Sequence, residues 1–92
     1  MNYLVMLDGD SPAGSLYVNW ANGSGKVNGH YFLCLECRSV DFQIPGFIHV
    51  QHRLPRIEPV TYRAVTFPIS ALLFVTETEK RDDMTSFGFT TD

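Results

Sequence analysis

Nowhere in the 92 residues do apolar side chains recur at i, i+3 and i+4 for three helical turns, so the chain has no long amphipathic helix from which to build a core. Turn residues punctuate it instead. DGDSPAG fills positions 8–14, Asn-Gly pairs stand at 22–23 and 28–29, IPG at 44–46, and Pro55 and Pro59 follow. Each supplies a backbone conformation that ends regular structure. A chain cut into such short pieces has to bury its apolar surface as sheet.

The pieces between the turns carry β-formers. Residues 2–7 (NYLVML) form the first, and residues 15–20 (SLYVNW) place Leu16, Val18 and Trp20 in partial alternation, the pattern of a half-buried strand. The loop 21–29 holds both Asn-Gly pairs, so a hairpin joining 15–20 to 30–42 is expected. Residues 47–54 resume as a strand, and 60–67 (VTYRAVTF) have strong β propensity. Pro68 stops that strand, Ile69-Ser70-Ala71 suits a single helical turn, and 72–79 alternate again, a strand–turn–strand corner typical of small barrels. The expected fold is all-β: a small, partly open barrel or sandwich of five to seven short strands, with at most one short helical turn near 69–72. Its layout is similar to that of SH3-like and Sm-like barrels. Residues 1–79 make the single domain. The polar tail 80–92, with Met84, Phe87 and Phe89 as its apolar exceptions, is expected to be partly disordered or to add a final edge strand.

Size and composition then bear on function. A domain this small buries only about 60–65% of the surface its unfolded chain exposes, too little to hide seven Phe, four Tyr and one Trp. Some of those rings belong on the surface, where apolar patches mark contact with a partner or another copy. The net charge of −3 is unevenly spread: residues 46–69 carry Arg53, Arg56 and Arg63 against Glu58, while acids outnumber bases on either side. Three arginines fall short of the basic stripe of a typical nucleic-acid binder. The start of the chain lacks a signal-peptide pattern, and its longest apolar run, 67–75, is too short for a bilayer span. Two cysteines three apart do not make a disulfide framework, so a reducing, cytoplasmic setting is expected.

Cys34 and Cys37, followed by His49 and His52, have the letters of a Cys2His2 zinc site. Strand geometry speaks against it. Residues three apart on a strand point to opposite faces. Cys34 should then side with Phe32 and Glu36, and Cys37 with Leu33 and Leu35; His52 should side with Ile48 and Val50, and His49 with Phe47 and Gln51. Leu35-Glu36 has no turn former that would fold the cysteine pair into a clasp. Cys37 is therefore expected in the core, Cys34 nearer the surface, and no metal or other cofactor is assigned.

Other motifs fail on single residues. Asp8 and Asp10 begin like a calcium loop, but Pro12 and Ala13 break it. NGSGKV has Trp20 and Val27 where a phosphate loop needs Gly and Ser or Thr. Its backbone still makes Asn22, Gly23, Gly25 and Lys26 candidates for a ligand-approaching loop. No activated nucleophile pairs with the histidines, so catalysis is not expected. Function is expected to be non-catalytic: binding another protein as a regulator or inhibitor, with self-association. Trp20, His49, Arg53, Arg56 and Tyr62 are the candidate contacts, being of the types enriched at interfaces. The alternatives are an Sm-like or SH3-like binder of RNA or single-stranded nucleic acid through the arginine segment, and a nucleotide-sized ligand in a barrel mouth.

Overall fold

A computed structural model describes residues 2–78 and 90–91. Six strands form one antiparallel sheet: β1 (Asn2–Asp8), β2 (Gly23–Val27), β3 (His30–Asp41), β4 (Phe47–Arg53), β5 (Tyr62–Pro68) and β6 (Leu72–Thr78). The main path runs β5-β4-β3-β1-β6. β2 pairs with the first half of β3, and a two-residue strand, β7 (Thr90–Thr91), pairs with β2 at Gly23 and Ser24. Apart from β7, the tail 80–92, expected to be partly disordered or to add a final edge strand, lies outside the described residues.

The all-β expectation holds, and the sheet is curled rather than closed. Five strands laid flat would set β5 and β6 about 19 Å apart. Yet a 3₁₀ turn of three residues, Ile69–Ala71, joins them directly, and such a turn advances only about 6 Å. The sheet must roll until its two ends nearly meet at that corner, where the sequence placed its helical turn. Inside the roll lie Val5, Leu7, Leu33, Leu35, Cys37, Ile48, Val50 and Phe67. β1 contributes to both sides: Leu4 and Met6 join Cys34 in a second, smaller buried cluster on the other face, which explains its unbroken apolar run.

One expectation is overturned. Residues 15–20 are not a strand. Helix α1 (Pro12–Tyr17) and a 3₁₀ turn (Val18–Trp20) occupy that stretch, so helical structure is not confined to 69–72. Ser11 caps α1, its Oγ accepting from Gly14 N at 3.0 Å and donating to Asp8 O at 2.6 Å. Pro12 follows at the first helical position, where its missing N–H costs nothing. Gly14 is required by contact: a Cβ there would stand 2.0 Å from Asp8 O. Leu16, read as a buried alternator, is 85% exposed; Tyr17 turns inward instead and packs against the core.

The hairpin accordingly moves. It joins β2 to β3 through Asn28-Gly29, with φ of 51° and 82°, the paired positive values of a tight two-residue turn. Farther along, the β3–β4 register shifts between Cys37 and Ser39. This bulge puts Arg38 and Ser39 on the same side of the sheet.

Candidate functional site

Alternation along β4 divides its residues between the two sides of the sheet. Ile48, Val50 and His52 are buried in the roll, while Phe47, His49, Gln51 and Arg53 face outward. Opposite them on β5 stand Pro68, Thr66, Ala64 and Tyr62. Weak contacts hold this outer face, exposed at His49 and part-buried at Glu36. His49 Nδ1 lies 2.9 Å from Thr66 Oγ1, the Arg38 guanidinium sits 4.2 Å over the Tyr62 ring, and Arg53 Nη1 lies 3.8 Å from Glu36 Oε1. At the far end, Ile44 and Phe47 are 58% and 43% exposed. Ile44 and Phe47 line a cleft of about 220 Å³ with Asp41, His49 and Thr66. The face thus runs from an apolar end to an arginine-and-tyrosine end across the small side chain of Ala64.

The inner side of the same strand holds a dry polar knot. Asn22, buried, donates from Nδ2 to Arg53 O at 3.0 Å; its Oδ1 accepts from Glu36 N at 2.8 Å. That same oxygen lies 2.8 Å from His52 Nε2, so Nε2 must carry the ring hydrogen. Nδ1 is then an acceptor, and the Tyr17 hydroxyl donates to it at 2.6 Å. Burial, aided by the Arg63 charge, pushes the His52 pKa down to about 4, which keeps the ring neutral. Burial likewise raises the Tyr17 hydroxyl above its usual value, against the pull of Arg63. Arg63 itself lies 4.4 Å over the Trp20 ring, and Tyr17 meets Phe67 edge-on at 5.2 Å. The knot clamps α1 and the start of β2 onto β3 and β4.

Of the five contact residues expected from sequence, His49, Arg53 and Tyr62 share the outer face. Trp20 lies apart from them, stacked with Arg63, whose side chain leaves β5 on the side opposite Tyr62 as the alternation required. Arg56 is also separate. It adopts a left-handed φ of 59°, and its Nη2 donates to Asn19 O at 3.2 Å beside a polar cleft of about 260 Å³ that includes Gly23 and Ser24.

The expected ligand loop is not a loop. Gly23, Gly25 and Lys26 belong to β2, and Asn22 is committed to the knot, because a side chain with both donor and acceptor was needed there. The four zinc letters do not converge: Cys37 and His52 are cross-strand partners facing the core, Cys34 faces the other way, and His49 is on the outer face. Cys34 is nonetheless fully buried, contrary to the expectation of greater exposure, because Leu4 and Met6 flank it. Burial raises both thiols, Cys34 to about 12 and Cys37 further still, so neither is a ready thiolate. Among the described residues, Asp8, Asp10 and His30 bring ligand-type atoms within 4.8 Å of one another. Asp8 Oδ1 already serves the turn by accepting from Asp10 N at 2.9 Å.

Sequence reasoning passed over Tyr17 and gave Asn22 a different role, as part of a ligand-approaching loop. The signal available was Ser11-Pro12, a helix start that would have turned residues 12–20 away from strand geometry. Comparison with protein-family models, with curated proteins and with solved structures found no match.

Proposed function

We propose that this chain is a non-catalytic protein-binding module that uses the outer face of β3, β4 and β5, acting as a regulator or inhibitor of its partner in the cytoplasm. One observation carries the reading: His49, Arg53 and Tyr62 stand together on an accessible face whose end exposes Ile44 and Phe47. An apolar anchor beside arginine and tyrosine is the composition of an interface core with its rim. The absence of catalysis fits the condition of the nucleophiles and bases at hand. Both thiols are buried with raised pKa values, and His52 has both ring nitrogens committed. The two cysteines are unpaired, which suits a reducing compartment, and no helix among the described residues is long and apolar enough to cross a membrane.

The test is comparative proximity labelling in the protein's own cells, using the native chain and the double variant Phe47→Ser, Tyr62→Ala. A partner labelled by the native chain and lost with the folded variant is the expected result; an unchanged set of partners overturns the reading.

A second reading has one observation in its favour. Arg38 over Tyr62 brings another arginine to the face that already holds Arg53, a pairing suited to stacking on single-stranded RNA. Titrating RNA binding against salt separates the two. Phosphate contacts would make affinity fall steeply as salt rises, and no measurable RNA binding would leave the protein partner.

A further inference from the structure

The free edge of β5 has a self-complementary pattern. Leu54 N donates to Thr61 O at 2.9 Å, and Ile69 N to Gly46 O at 2.9 Å; these bonds fix the phase of the β4–β5 ladder from both ends. Hydrogen-bonded pairs alternate with non-bonded ones in an antiparallel ladder. Arg63, Val65 and Phe67, opposite His52, Val50 and Ile48, therefore turn their N–H and C=O groups toward β4. Tyr62, Ala64 and Thr66 turn theirs outward, where no strand among the described residues takes them up. The usual guards of an edge are lacking along this stretch. The β4–β5 register has no bulge, Pro68 stands only at the end, and Arg63, the one charge, is drawn aside over Trp20.

We propose that β5 pairs antiparallel with β5 of a second copy, about a two-fold axis through Ala64. In that register Ala64 meets Ala64 and Tyr62 meets Thr66, each pair exchanging two hydrogen bonds. The strand's smallest side chain lies on the axis, where two identical groups must face each other. Arg63 falls opposite Val65, so the two guanidinium groups are kept apart. Both neighbouring registers are worse. A slip one way sets Arg63 against Arg63, and like charges directly opposite are destabilising. A slip the other way sets Tyr62 against Pro68, which has no N–H to give. This preference for one register under two-fold symmetry favours the second copy over an unrelated strand. The pairing uses the backbone of Tyr62, Ala64 and Thr66, whose side chains belong to the outer face, but it needs no partner on that face, so the inference goes beyond the binding reading above and does not depend on it.

Sedimentation of the full chain between about 5 µM and about 500 µM, the range suited to a small interface, should show the mass rising from one chain to two. Ala64→Pro removes only an outward N–H and should give a folded monomer, with association weakened on the order of 100-fold. Ala64→Lys and Ala64→Glu should each be monomeric alone, and an equal mixture should form a heterodimer, a result that depends on residue 64 facing its own copy. If Ala64→Pro does not fold, the mixture decides. A wild-type chain that stays monomeric throughout overturns the proposal. So does a mixture that does not associate, or a monomeric chain whose β5 edge takes up an unrelated strand-forming peptide.

Discussion

His49 and His52 sit three residues apart on β4 and live in different worlds. His52 is wholly buried, with Tyr17 on one ring nitrogen and Asn22 on the other. His49 is half-buried, with one contact to Thr66. Nothing in the residue type separates them; the parity of the strand does. On the inner side every polar atom must find a protein partner, because an unsatisfied one has no water to turn to. On the outer side the same groups remain solvated, so their contacts contribute little to stability and stay available to a partner. Fold and function thus draw on opposite sides of one strand.

The sharpest way to break this contrast is Asn22→Ala. It strips partners from the His52 N–H, Glu36 N and Arg53 O together, and should cost about 4 kcal/mol in urea unfolding; a loss under about 1 kcal/mol would show that the knot is not holding the fold. Next is acid. His52 has a folded pKa of about 4, below the 6.5 of a free histidine, so the unfolded chain binds the proton more readily. The associated stability is fully present above pH 6.5 and is lost as pH falls toward 4, amounting to about 3 kcal/mol. Unfolding free energies across that window should show the loss in the native chain and in His49→Ala alike. Gly14→Ala attacks the knot indirectly, by forcing α1, and with it Tyr17, off Asp8 O; about 2 kcal/mol of destabilisation is expected by thermal or urea melts. The smallest effect belongs to the outer face. His49→Ala should change stability by less than about 0.5 kcal/mol, and a larger loss would mean that the face is part of the fold's support.

Much of this architecture could be read from the letters. The opposite facing of Cys34 and Cys37 and the separation of Arg63 from Tyr62 follow from the two-residue period of a strand, and the corner at Pro68–Ala71 from a proline that stops β5 ahead of a helical turn. The failures share a cause. Tyr17, Val18 and Trp20 have β-favouring side chains, but Ser11 and Pro12 set the backbone into a helix before those preferences act, and packing of Tyr17 on Phe67 keeps it there. Asn22 carries the letters of a turn beside Gly23, yet its amide is consumed by three groups that only the folded chain brings near. Single-residue preference was overridden in both: by the helix start at Ser11-Pro12 for residues 12–20, and by groups distant in sequence for Asn22.

The bulge beside Arg38 has an arithmetic consequence. Cys37 stands opposite His52, and the count resumes at Ser39 opposite Gln51, so Arg38 is a surplus letter that the ladder skips. A chain lacking it would pair β3 with β4 without interruption and keep every later residue on its present side, losing only the cation above Tyr62. One residue deleted at Val50 or Gln51 would instead leave the two histidines two apart, on one side of the sheet, and end the contrast between the wet one and the dry one.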